Sequence, residues 1–146
     1  MAQRRVSRSV IIAAPADRIF DILATPDRHA ELDGSGSVQG LMTGPPRLER
    51  GSRFGMRMRL GVPYRITNRV VEFEEGRRIA WRHFGLHRWR WTLEPLDDGT
   101  TRVTETFDYD NALAWFYVLS GWPARNARGI EDTLPRLKEL AESEAG

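Results

Sequence analysis

The sequence predicts an α+β domain in which a curved antiparallel sheet of six or seven strands wraps a long C-terminal helix, leaving an apolar cavity between them. Three observations lead there. Apolar residues alternate with polar ones from about residue 52 to 109, the period of half-buried strands. Apolar residues recur every three or four positions near both ends. The strands are joined by short turns and the helices lie outside the strand block, which favours hairpins over parallel crossovers. At 146 residues, with no repeat and no linker, the chain reads as one domain over 1–146.

The elements follow in order. Residues 4–12 end in Val10-Ile11-Ile12 and form the first strand. Ala14-Pro15-Ala16-Asp17 starts a helix, since proline is tolerated in a first turn and aspartate favours the positive end of the dipole. Ile19, Phe20, Ile22 and Leu23 share one face of it, and Pro26-Asp27 ends it. Arg28 to Leu32 form a second short helix. Gly34-Ser35-Gly36 and Gly44-Pro45-Pro46 are connectors. Phe54, Met56, Met58 and Leu60 then alternate with Gly55, Arg57 and Arg59. Further strands cover about 64–73, 78–84, 87–94 and 101–109, with Asp97-Asp98-Gly99 a three-residue hairpin loop. Ile130, Leu134, Leu137 and Ala141 share one face of the final helix. Pro123 suits its first turn, and Pro135 is expected to kink it. Leu113 to Leu119 could begin that helix, cover the cavity as a lid, or form a homodimer contact.

Composition excludes several classes. Five Trp, three Tyr and six Phe in a 40% hydrophobic chain can fill a core, so disorder is not expected. The absence of cysteine removes disulfides, thiolate metal sites and a cysteine nucleophile. No stretch approaches the ~20 apolar residues of a membrane span. Arg4-Arg5-Val6-Ser7-Arg8 is basic like a secretion signal. Only Val10 to Ala14 follow as an apolar run before Asp17, short of the roughly 7–15 needed, and a cytoplasmic protein is expected. Lys138 is the only lysine among 22 basic residues.

Hairpin register sets what faces inward. A loop at 97–99 pairs Leu93 with Val103, Trp91 with Glu105 and Trp89 with Phe107. A three-residue loop at 85–87 would pair Trp81 with Trp91 and His83 with Trp89, whereas a two-residue Gly85-Leu86 turn would send Trp81 outward. The first keeps Ile79 and Trp81 inside and is preferred. Ligand-lining candidates are then Phe54, Met56, Met58, Trp81, His83, Trp89, Trp91, Glu105, Phe107 and Tyr109, an apolar wall with few polar groups, as small-molecule sites have. Glu105 between Trp91 and Phe107 needs a partner or a raised pKa. Arg57, Arg59, Arg82, Arg88, Arg90 and Arg102 fall on the outer face, where Glu72, Glu74 and Glu94 can pair with them. Arg65 and Arg69 fit that face only if a bulge near Arg69-Val70-Val71 changes the parity.

Ile12-Ala13-Ala14-Pro15-Ala16 leading to Phe20-Asp21-Ile22-Leu23, Trp91 to Thr101 around the Asp97-Asp98-Gly99 turn, and Thr133-Leu134-Pro135-Arg136-Leu137-Lys138 together resemble the START-like (SRPBCC) superfamily. That superfamily includes polyketide cyclase/dehydrase-like and lipid-transport proteins. The resemblance implies the helix-grip fold over nearly the whole chain and carriers or enzymes as its functions. Leu32, where many members carry tryptophan, and the prolines at 123 and 135 depart from the pattern.

The leading expectation is binding or transport of a hydrophobic molecule of lipid, isoprenoid or polyketide-like kind. One alternative is a cyclase or dehydratase using Glu105 and His83 as its catalytic pair. Another is an interaction module on the outer arginine face. Nucleic-acid binding is not expected, because the obvious aromatics point to the other face and leave no stacking platform. His83 and His87 straddle a turn and make no metal pair, and no metal or cofactor is expected.

Overall fold

The structure is a computed structural model describing residues 4–82, 87–110 and 121–145. The elements are β1 (Arg5–Ile12), α1 (Ala16–Leu23), a 3-10 turn (Pro26–Arg28), α2 (His29–Leu32), β2 (Val38–Thr43), β3 (Arg53–Leu60), β4 (Val62–Glu74), β5 (Arg78–Arg82), β6 (Arg88–Pro95), β7 (Thr101–Asp108) and α3 (Trp122–Ala145). The described strands form one seven-stranded antiparallel sheet in the order β1-β7-β6-β5-β4-β3-β2. Hairpins build β2 to β7 consecutively, and β1 closes on the last strand. This is the α+β arrangement expected.

The expected face of α3 is the buried one: Ile130, Leu134, Leu137 and Ala141 pack against Ile12, Phe20, Leu23 and the inner sheet. α3 continues through Pro135, whose missing N–H costs one backbone bond there. The strand β2 is an addition to the sequence reading. Gly40 and two register shifts, between Val38 and Gly40 and between Leu41 and Thr43, break its alternation and erase the period-two signal.

The β6–β7 register is the expected one, with Trp91 opposite Glu105. At the other hairpin the expectation needs correction: Trp81 lies opposite Trp89, and Ile79 opposite Trp91. The shift is two residues, so every side chain stays on its expected face. The proposed bulge in β4 is present between Val70 and Glu72. It leaves Ile66, Asn68 and Val70 inward, Arg65 and Arg69 outward, and returns Glu72 to the outer face.

That face carries a charge ladder. Arg90 bonds Glu72 (Nε–Oε1 3.0 Å, Nη2–Oε2 2.8 Å) and Asp108 (3.1 Å), Arg88 adds a 2.8 Å bond to Glu72, and Arg5 reaches Asp108 at 3.1 Å. Ala80 stands between Arg90 and Glu72 on the intervening strand, and its small side chain lets the guanidinium cross. Arg102 pairs with Glu94. Glu72 and Glu94 thus take arginine partners as expected, while Glu74 takes none among the described residues.

Hydrogen bonds from Arg90 and Arg88 hold the Glu72 carboxyl down to about 2. A depressed carboxylate contributes stability above its unfolded pKa, near 4.5, and loses it as pH falls toward 2. Glu72→Gln should therefore lower stability by about 1 kcal/mol near neutral pH. Urea midpoints for variant and parent should converge as pH falls through that window.

Candidate functional site

Between the inner sheet face and the helices α2 and α3 lies a cavity of about 510 Å³. β3 contributes Met56 and Met58, β4 contributes Tyr64, Ile66 and Asn68, and β5 to β7 contribute Trp81, Trp89, Trp91, Glu105 and Phe107. Its open side is framed by Ser35 and Ser37 from the α2–β2 connector and by Arg125 and Arg128 from the start of α3. A second depression of about 550 Å³, between Arg4–Arg8 of the β1 region and Pro123, Ala124 and Ala127 of α3, is shallow and open to solvent. It lacks the apolar wall of a small-molecule site.

Glu105 is the unusual group on the wall. Inward parity on β7, between Val103 and Phe107, buries it to 7% exposure. Its strand neighbours are Trp91 on β6 and Arg8 on β1. Arg8 turns instead to Glu131 on α3, at 3.0 Å. Glu105 Oε1 has no hydrogen-bond partner, so the salt bridge that would have locked this carboxyl away from the cavity is not formed among the described residues. Burial, and secondarily the charge of Asp33, push its pKa up to about 8, so the carboxyl is neutral at pH 7.

Asp33 organises the mouth. It accepts hydrogen bonds from Ser35 Oγ at 2.7 Å and from the Val38 amide at 3.1 Å, folding the connector over its own carboxylate. Gly34 donates its N–H to Thr133 Oγ1 at 2.8 Å. A Cβ on Gly34 would overlap the Asp132 backbone. Gly34→Ala should therefore separate the connector from α3 and cost about 2 kcal/mol. A urea midpoint unchanged from the parent would show the contact to be loose.

Two histidines complete the wall. His29 is buried at the start of α2, where Nε2–H donates to the Leu23 carbonyl at 2.8 Å. Its ring stacks on Trp81 with centroids 4.8 Å apart and meets Phe54 edge-on at 5.4 Å. His87, 3% exposed, lies against Phe107 with centroids 5.2 Å apart. Burial lowers both to about 4, outweighing the opposing Leu23 bond at His29. Both are neutral at pH 7.

Seven of the residues chosen from the sequence line the cavity together: Met56, Met58, Trp81, Trp89, Trp91, Glu105 and Phe107. Phe54 is buried behind the wall against His29 and Trp81, and Tyr109 stacks on Phe107 away from it. His83 lies outside the described residues, as do the Gly85 turn and the segment Leu113 to Leu119. Sequence reasoning passed over His29, Asn68 and His87. Asn68 shares the inward parity of Ile66 and Val70, and His87 that of Trp89 and Trp91, so both carried a signal. His29 carried none, because only the docking of a four-residue helix turns it inward.

Residues 3–142 match the model of a family described as "Polyketide cyclase / dehydrase and lipid transport". A relative in Mycobacterium tuberculosis (strain H37Rv), the uncharacterized protein Rv0088, is 50% identical over 141 residues, covering 92% of this chain and 63% of the relative. The chain thus spans about 63% of the length of the curated relatives it matches. Among solved structures, protein Ms6760 from Mycobacterium smegmatis superposes with a TM-score of 0.74 at 20% identity, over 97% of this chain and 93% of that one. The Polyketide_cyc-like protein Cgl2372 from Corynebacterium glutamicum gives 0.65 at 19%, over 98% and 94%. At these identities the superpositions speak for the fold.

Proposed function

Since the chain belongs to the polyketide cyclase/dehydrase and lipid transport family, we propose that it binds or carries a hydrophobic small molecule of lipid, isoprenoid or polyketide-like kind. The cavity of about 510 Å³ carries this reading; its size falls within the range of drug-sized ligand sites. Tryptophan and methionine supply large, adaptable contact area. Glu105, His29 and His87 are all uncharged at pH 7, so these three groups present no charge to an apolar guest. In this proposal the chain acts as one domain in the cytoplasm. Native mass spectrometry after mild purification should show a retained apolar mass, and titration with such compounds should quench Trp89 and Trp91 fluorescence. A chain that never retains or takes up any apolar compound would sink the proposal.

Glu105 favours a second reading as a cyclase or dehydratase. A neutral carboxyl on an apolar wall, held by no arginine, can donate a proton to a carbonyl or departing hydroxyl of a positioned chain. In this reading His83 is the partner of Glu105, and His87 stands on the same wall as that carboxyl. Glu105→Gln should then abolish turnover of a polyketide-like substrate while leaving its retention in native mass spectra intact. Equal turnover by both proteins would remove Glu105 from the chemistry, and no turnover by the parent would leave only the carrier.

A further inference from the structure

The outer face of the sheet divides its arginines into two sets. Arg5, Arg78, Arg88, Arg90 and Arg102 each meet a carboxylate. Arg53, Arg57, Arg59, Arg65, Arg69 and Arg82, on β3, β4 and β5, meet none: among the described residues their guanidinium groups make no ion pair or hydrogen bond. They also face one another. Arg53 lies opposite Arg69 and Arg69 opposite Arg82, a row across three strands, and Arg57 lies opposite Arg65. Like charges directly opposite destabilise a strand pair. One half of this face therefore neutralises its arginines while the other half concentrates them.

An exposed apolar side chain lies within the unpaired half: Met42, 39% exposed, packs beside the outward Gly55. Val62, 68% exposed at the β3–β4 hairpin, has the inward parity of Tyr64 and Ile66 and stands on the other face. The hairpin also adjoins the cavity: Met58 pairs with Tyr64, and the Arg59 amide bonds the Ser37 carbonyl at the mouth.

We propose that this half of the sheet docks on an anionic lipid surface, with the arginines on phosphate headgroups and Met42 entering the headgroup layer. Guanidinium groups chelate phosphate well, and mobile headgroups gather at whatever spacing the strands impose. An acidic protein would have to match that spacing with fixed carboxylates. Nucleic acid fits less well, because Trp81, Trp89 and Trp91 line the inner cavity and no described aromatic offers this face a stacking platform.

Sedimentation with vesicles tests this. The chain should pellet with phosphatidylcholine vesicles containing phosphatidylglycerol and not with phosphatidylcholine alone, and rising salt should release it. Each arginine lost should weaken binding about fivefold, so Arg65→Gln/Arg69→Gln should weaken it roughly 25-fold. Its denaturation midpoint should rise as repulsion is relieved, which separates lost binding from unfolding. Met42→Asp should weaken binding too, while Arg102→Gln, whose arginine is paired with Glu94, should change it less than about twofold. Absence of binding to the anionic vesicles, an undiminished double variant, or tighter retention by duplex DNA overturns the proposal.

Discussion

Glu105→Gln should gain several kcal/mol of stability relative to the parent chain between about pH 5 and pH 9. Burial raises the carboxyl from 4.5 to about 8 in the folded chain. The folded state thus holds this proton more tightly than the unfolded one. The stability it contributes is fully present below about pH 4.5 and disappears as pH rises through 8. A shift of that size corresponds to about 5 kcal/mol at most, and water entering the adjoining cavity reduces it. Glutamine keeps the shape and carries no charge at any pH. The two proteins should therefore unfold at similar denaturant concentrations near pH 5 and diverge steadily above it, the variant becoming the more stable. Parallel curves across that range would show that Glu105 is solvated or paired, and would remove the acid role considered for it. On the acid side both proteins should weaken together as pH falls below 6.5, because His29 and His87 are lowered to about 4 and resist protonation in the fold.

Trp91→Ala should lower stability by about 3–5 kcal/mol. The side chain is 2% exposed, packed between Ile79 on β5 and Glu105 on β7. Its removal extends a cavity already present, and partial hydration of the enlarged space places the loss toward the lower figure. Trp89 is only half-buried, beside Phe107 at 5.0 Å between ring centroids. Trp89→Ala should therefore cost about 1–2 kcal/mol in the free protein while removing a large part of the ligand-facing wall. Urea denaturation of both variants, with and without a bound apolar compound, separates packing from binding. Similar losses for the two substitutions would mean that both indoles serve the core alike.

The inner face was legible residue by residue because strand parity survives most errors. The β5–β6 pairing expected from the 85–87 loop was two residues out, yet Trp81 still points inward, since only an odd shift reverses a strand. The bulge in β4 was legible for a related reason. Ile66 and Val70 demand one parity and the 73–79 pairing the other, and only an extra residue satisfies both. β2 was not legible, because its glycine and two irregularities leave no alternation to read.

The cavity itself is where sequence and tertiary structure part. Local periodicity decided that Trp81, Trp89, Trp91 and Glu105 share one face of a sheet, because side-chain direction along a strand depends on nothing farther away than its neighbours. Tertiary packing decided that a space of about 510 Å³ remains between that face and α3. It also placed His29 on the wall and turned Arg8 toward Glu131, so that Glu105 keeps an unbonded oxygen. Each of these depends on how closely separate elements approach and which partner a side chain reaches first, and distances between elements remote in the chain leave no trace in the spacing of its residues.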